Sequence, residues 1–166
     1  MHVPCSSLPH LLRWVLPLAA AFWLVGCGNE QTNTPKVAPE DPSITQVRTF
    51  LTRYFKVWSD RDMAAYEALF DPTAVVHFVD KSGKVIAIPR PPFIQSQRES
   101  HASATVPMTE HAERMEIHLS PDARVAQAAV KWKLVHGDKI TQGWDHFTLL
   151  RRDDAWHILN LVFYEE

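Results

Sequence analysis

Apolar residues in the first part of the chain recur with helical spacing. Five of them follow one another at intervals of three or four: Ile44, Val47, Leu51, Tyr54 and Trp58. They share one face of an amphipathic helix that ends near Ser59, and the capping box Ser43–Gln46 predicts its start. A second helix is expected over residues 62–70, where Asp71-Pro72 ends it, and a third over 93–104.

The strand pattern has two parts, a short hairpin in the middle of the chain and longer segments towards its end. A β-branched run at 74–79, the turn "DKSG" and residues 84–88 predict one hairpin. Four longer alternating segments follow, separated by short turns, at residues 108–120, 123–135, 139–152 and 155–165. We therefore expect an α+β fold in which three N-terminal helices pack on a curved antiparallel sheet. The end of the sheet left uncovered by helices should form a pocket.

The start of the chain carries an apolar run over residues 14–25, behind Arg13. Twelve helical residues cover ~18 Å, which is short of the ~30 Å hydrocarbon core, and Pro17 interrupts them. A signal peptide over residues 1–26 fits better than a membrane span.

The four residues "LVGC", which end at Cys27, resemble the lipobox of bacterial lipoproteins. That resemblance implies cleavage before Cys27, acylation of its side chain and anchoring in a lipid bilayer. Residue Gly28 stands where an aspartate would favour the inner membrane, so the outer membrane, facing the periplasm, is expected. Residues 27–43 contain three prolines and few apolar side chains, and they are predicted to form a flexible tether before a domain at 44–166.

The charge balance and the spacing of reactive residues exclude several functions. A formal net charge of −2 gives no basic face for a nucleic acid. The seven histidines of the domain are never closer than seven residues apart, so no metal ligand pair is expected. The chain has no Gly-x-Ser-x-Gly elbow, and cleavage before an acylated Cys27 would leave no free thiol. Neither a metal nor another cofactor is predicted.

Two long stretches resemble the NTF2-like superfamily, which includes SnoaL-like domains and ketosteroid isomerases. They are "YFKVWSDRDMAAYEALFDPTAVVHF" and "GWDHFTLLRRDDAWHILNLVF". The resemblance covers nearly the whole domain. It implies a cone formed by helices and a curled sheet, and a cavity that serves enzymes in some members and binding or assembly in others.

The isomerases of this superfamily imply roles for three residues. Tyr54 matches a tyrosine that donates a hydrogen bond to an oxyanion, and Asp145, in "DHF", matches an aspartate kept protonated by an apolar site. The position of the catalytic base holds Phe78, and Asp80 is the nearest substitute. A core position for Tyr54 and a structural ion pair for Asp145 are open alternatives. Further pocket residues are expected at Trp58, Tyr66, His77, Trp144, Asn160 and Tyr164.

Two functions follow from these residues. The first is a tethered domain that binds a small apolar ligand, or a partner in the cell envelope, with a homodimer as a further expectation. The second is an isomerase or dehydratase in which Tyr54 and Asp145 donate to an oxyanion and Asp80 accepts a proton. The location of Asp80 relative to the pocket distinguishes them.

Overall fold

The computed structural model describes residues 40–166, so the predicted signal peptide, Cys27 and most of the tether lie outside the described residues. The helices and strands follow in this order: α1 (Pro42–Ser59), α2 (Met63–Glu67), β1 (Phe70–Val79), β2 (Val85–Pro89), α3 (Arg90–Ser103), β3 (Met108–Leu119), β4 (Val125–His136), β5 (Lys139–Arg152) and β6 (Ala155–Glu165). No helix among residues 40–166 is long and apolar enough to cross a bilayer.

The starts of α1 and α2 are fixed by aspartates. Asp41 caps α1 by accepting from the backbone N–H of Ser43 at 2.8 Å. The sequence pattern predicted Ser43 as the capping residue, and this prediction was wrong. Asp62 caps α2 in the same way, accepting from Ala65 N at 3.0 Å. Both caps satisfy an N–H that would otherwise lack a partner at the helix start.

The six strands of the described region form one curved sheet in the order β2-β1-β6-β5-β4-β3. Neighbouring strands are antiparallel except β1 and β6, which are parallel. The expectation of a purely antiparallel sheet was therefore wrong at this pair. It arises because the β3–β6 meander returns to the middle of the sheet and places β6 beside β1.

The expectation of three N-terminal helices also needs correction, because α3 follows β1 and β2. This helix carries the chain from β2, at one edge of the sheet, to β3, at the opposite edge. Its position lets Phe93 and Ile94 join the core formed by α1 and the inner face of the sheet.

Successive side chains along β5 lie on opposite faces of the sheet. Asp145, Phe147 and Leu149 are buried beneath the helices, whereas His146 is exposed on the opposite face. Strand β3 keeps this alternation only in part, since a bulge between Ala112 and Arg114 shifts its register against β4. The bulge places Glu110 on the same inner face as Met108.

Candidate ligand-binding site

A cavity of about 150 Å³ lies between the helices and the inner face of the sheet and is partly open to solvent. Its walls are largely aromatic: Tyr54, Trp58, Tyr66, Phe93, Trp132 and Phe163. Four further lining residues are polar: Gln97, Glu110, Asp145 and Glu165. An apolar cavity with a few convergent polar groups is the usual form of a small-molecule site.

Two tyrosines from the first two helices meet at the inner end of the cavity. The hydroxyl of Tyr66 donates to that of Tyr54 at 3.0 Å, and their rings lie 5.1 Å apart. Phe147 supports Tyr54 from the sheet with an edge-to-face contact at 5.2 Å. Burial raises the pKa of both tyrosines well above its usual value, so both hydroxyls stay protonated at neutral pH.

Asp145 contributes a buried carboxyl from β5 and is only 4% exposed. Burial, with a smaller contribution from Glu110, raises its pKa well above the ordinary value, and the nearby Trp132 indole opposes the rise. The raised pKa favours the protonated form of Asp145, which can donate a hydrogen bond. The Trp132 indole is the polar side chain that acts on this carboxyl, in a geometry that falls short of a regular hydrogen bond.

Glu110 adds a second carboxyl that the sequence analysis did not select. The hydroxyl of Ser59 fixes its backbone, because Ser59 Oγ donates to Glu110 O at 3.0 Å and accepts from Glu110 N at 2.8 Å. Burial raises the pKa of Glu110 from 4.5 to about 8. Glu110 therefore changes its protonation state close to physiological pH.

The indole N–H of Trp132 is a further polar group in the lining of the cavity. Its Nε1 is buried and has no hydrogen-bond partner within residues 40–166. Gly143 makes room for this ring, because a Cβ atom at that position would lie 2.3 Å from Trp132 Cζ2 and 2.1 Å from the carbonyl oxygen of Tyr164. Trp58 is oriented by a different contact, donating from Nε1 to Gln97 Oε1 at 3.0 Å.

The structure places Asp80 away from this cavity. Its carboxylate accepts from Ser82 N at 2.8 Å, Ser82 Oγ at 2.6 Å and Lys84 N at 3.0 Å, which closes the turn between β1 and β2. These hydrogen bonds, led by the Ser82 hydroxyl, lower the pKa of Asp80. Asp80 lines a separate, more open surface groove instead.

The other expected pocket residues divide between the two faces of the sheet. Trp58 and Tyr66 line the cavity with Tyr54 and Asp145. Four lie outside it, on the outer face: His77, Trp144, Asn160 and Tyr164. There, Asn160 Nδ2 lies 3.2 Å from His77 Nδ1, and His146 stacks between Trp144 and Tyr164 with centroid distances of 6.3 and 5.9 Å.

No group of three or more metal-ligating side chains is arranged around an ion site in residues 40–166. The polar contacts of the cavity are instead hydroxyl, carboxyl, amide and indole groups. They are suited to hydrogen bonding and to the transfer of single protons.

A family model described as "Putative lumazine-binding" matches residues 42–164. The chain belongs to this family. The match covers every helix and strand of the domain except the last residue of β6. No curated protein sequence matches the chain significantly.

Solved structures share the fold of this family member at low sequence identity. An NTF2-like protein of unknown function from Pseudomonas putida has a TM-score of 0.62 and 14% identity, covering 72% of this chain and 84% of that one. Aln2 from a Streptomyces species has a TM-score of 0.63 and 13% identity, with coverage of 76% and 93%. ActVI-ORFA from Streptomyces coelicolor has a TM-score of 0.59 and 15% identity, with coverage of 74% and 97%. The domain has the NTF2-like fold, as the resemblance predicted.

Proposed function

We propose that the domain binds a small, largely aromatic molecule in the cavity between α1 and the sheet. The observation that carries this proposal is the convergence of Tyr54, Asp145, Glu110 and Trp132 on one aromatic cavity of about 150 Å³. A cavity of roughly this volume admits a benzene ring. The family description, which names lumazine binding, supports a small ligand.

The polar end of the ligand would meet donors. Tyr54 accepts from Tyr66 and so keeps its own hydroxyl hydrogen for another acceptor. The Asp145 carboxyl, when protonated, and the indole N–H of Trp132 supply two more donors. A hydroxyl or carbonyl oxygen on the ligand is therefore well matched to this part of the cavity.

Benzyl alcohol tests this proposal, with binding followed by the fluorescence of Trp58 and Trp132 during titration of the full chain. Tyr54→Phe should weaken binding about fivefold, which corresponds to one neutral hydrogen bond of about 1 kcal/mol. Tyr164→Phe is the matched control, since Tyr164 lies on the outer face, and it should leave the affinity unchanged. Equal affinities for the two variants would contradict a ligand site at Tyr54.

A second candidate is proton-transfer catalysis of the isomerase or dehydratase type. It is favoured by one observation: a carboxyl with a pKa of about 8, Glu110, lines the cavity that also holds Tyr54 and Asp145. Glu110 rather than Asp80 would then receive the proton from the carbon next to a carbonyl. Acetophenone in D2O provides the test, because catalysed exchange of its methyl hydrogens should be visible by NMR and absent in Glu110→Gln.

We further propose that the chain is a lipoprotein anchored through Cys27 in the bacterial cell envelope, with the domain facing the periplasm from the outer membrane. The lipobox resemblance of "LVGC" and the preceding apolar run support this. Labelling with a radioactive fatty acid would test the anchor, and fractionation of the two membranes would test the location.

A homodimer through the outer face of the sheet is also proposed. The ring stack of Trp144, His146 and Tyr164 supports it, because aromatic side chains are enriched in protein interfaces. Replacing Tyr164 with glutamate should shift the protein to a smaller species in sedimentation velocity if this face forms the interface.

A further inference from the structure

We propose that the cavity selects an organic cation, an ammonium or quaternary ammonium carried on a small apolar group. This inference rests on the proposed binding function and adds the charge of the ligand.

The charged residues of the cavity all have one sign. Glu110, Asp145 and Glu165 line it, and no lysine, arginine or histidine is among its lining residues in the described chain. A bound anion would meet no fixed positive charge among these lining residues. A bound cation would meet groups that become its counter-ions when they ionise.

Two cationic side chains near Glu110 lie outside the lining of this cavity. Lys56 and His111 line a neighbouring surface pocket, to which Glu110 also contributes, but the Lys56 amine lies 2.5 Å from Asp60 Oδ2. From the remaining elements, Tyr54, Tyr66, Asp145 and Glu165 face the same cavity as Glu110, and α3 contributes only the neutral polar group of Gln97. Glu110 therefore has no ion pair within residues 40–166.

Asp145 is the most deeply buried of these carboxyls. It is 4% exposed and lines the cavity, and the Trp132 indole that acts on it falls short of a regular hydrogen bond. A buried carboxyl in this condition ionises only at a high free-energy cost unless a cation is brought beside it. The raised pKa values of Asp145 and Glu110, caused first by burial, agree with two acids that lack a counter-ion.

The aromatic walls of the cavity also favour a cation. The faces of aromatic rings attract cations, with Trp the strongest, and two tryptophans, Trp58 and Trp132, line this cavity together with Tyr54 and Phe163. Carboxyls and aromatic rings together favour an alkylated ammonium, because its methyl groups pack against the rings while its charge faces the acids.

Binding would be coupled to one proton. The cation pairs with the Glu110 carboxylate, the carboxyl proton passes to solvent, and no covalent bond of the ligand changes. Affinity should therefore rise with pH until Glu110 is ionised without the ligand, close to pH 8.

Three probes built on one benzene ring test the inference on the full chain: phenyltrimethylammonium, benzyl alcohol and benzoate. The first has a permanent charge, so any pH dependence of its binding belongs to the protein. Calorimetry at pH 7 in two buffers of different ionisation enthalpy gives both the Kd and the number of protons released. We expect the cation to bind at least tenfold more tightly than benzyl alcohol, with release of about one proton and about tenfold stronger binding at pH 7 than at pH 6.

Glu110→Gln should abolish the proton release and reduce the preference for the cation over benzyl alcohol at least tenfold. Glu113→Gln is the matched control, three residues further along β3 and exposed outside the cavity. Equal or tighter binding of benzyl alcohol or benzoate would overturn the cation inference and leave the proposed binding function intact. Failure of all three probes to bind would overturn both. Cation binding by the wild type without proton release would also refute the role of Glu110.

Discussion

The hydroxyl of Tyr66 on α2 lies 3.0 Å from the hydroxyl of Tyr54 on α1, and both rings are buried. This contact joins the first two helices at the inner end of the cavity. It also orients the Tyr54 hydroxyl, because an oxygen that accepts from Tyr66 has its own hydrogen left for the cavity. The stability of the domain and its ligand chemistry therefore depend on the same hydrogen bond.

Tyr66→Phe should lower the free energy of unfolding by about 1 kcal/mol, since it removes one buried hydrogen bond without changing the packing volume. Tyr54→Phe should have a similar effect. The double variant should be scarcely less stable than either single variant, because both changes remove the same bond. Urea denaturation of the four proteins measures this, and strictly additive losses would show that the two hydroxyls act independently.

The stability of the protein should fall as the pH rises through neutrality. The pKa of Glu110 is raised from 4.5 to about 8, so the folded state holds this proton more tightly than the unfolded state does. Its contribution to stability is fully present below about pH 4.5 and is lost progressively as the pH approaches 8. Asp145, whose pKa is also raised, acts in the same direction.

Glu110→Gln should remove most of this loss. The difference in unfolding free energy between variant and wild type should grow in favour of the variant from pH 5 to pH 8, by up to about 1.4 kcal/mol per pH unit. Urea midpoints at several pH values supply the comparison, with Glu113→Gln as control. Parallel curves for Glu110→Gln and wild type would mean that Glu110 titrates normally.

Gly143→Ala should destabilise the domain by roughly 1–3 kcal/mol, because the added Cβ would overlap the ring of Trp132 and the Tyr164 carbonyl oxygen. Near-UV circular dichroism should show a changed tryptophan environment. Gly83→Ala is a useful comparison, since no atom lies within 4 Å of its Cβ position and only its positive φ of 83° opposes the change. A tryptophan signal that responded equally to both substitutions would exclude the contact with Trp132 as the cause.

Cys27→Ser should leave an unprocessed precursor that takes up no labelled fatty acid. The physical reason is that the acyl chain needs the thiol as its attachment point, and "LVGC" offers no other. Autoradiography of the wild type and the variant gives the answer. Equal incorporation of label in both would exclude acylation at Cys27.

Local sequence patterns located some site residues well. Asp145 was assigned to the inner face from its alternation with Phe147 and Leu149, and β5 pairs with β4 in unbroken register over these positions. Tyr54 was placed on the inner stripe of α1 for the same kind of reason, because helical spacing is regular there. In a regular helix or strand, the spacing between two residues determines whether their side chains lie on the same face.

The same reasoning did not place Glu110 on the inner face, because β3 is irregular. Met115, Ile117 and Leu119 face the core after the bulge, so counting back from them in steps of two places Glu110 on the outer face. The bulge between Ala112 and Arg114 reverses that parity. The apolar residues Met108 and Ala112, two positions before and after Glu110, were the available sign of an inward position.

Asp80 illustrates a different limit. An aspartate before a glycine-containing turn can either face a cavity or hydrogen-bond the turn backbone, and sequence alone does not choose between these. The structure shows three hydrogen bonds from Ser82 and Lys84 to this carboxylate. The parallel pairing of β1 with β6 was equally beyond local patterns, since it joins segments separated by most of the domain.

The central position of β6 in the sheet determines when the domain can complete its fold during synthesis. The last strand of the chain fills the gap between β1 and β5 and supplies Leu161 and Phe163 to the cavity wall. Until those residues have left the ribosome or a translocation channel, the sheet stays divided into two parts and the cavity lacks one side. Contacts of such long sequence separation also slow folding. A chain truncated before residue 155 would therefore display apolar strand edges, and quality-control proteases would encounter it as an incomplete product.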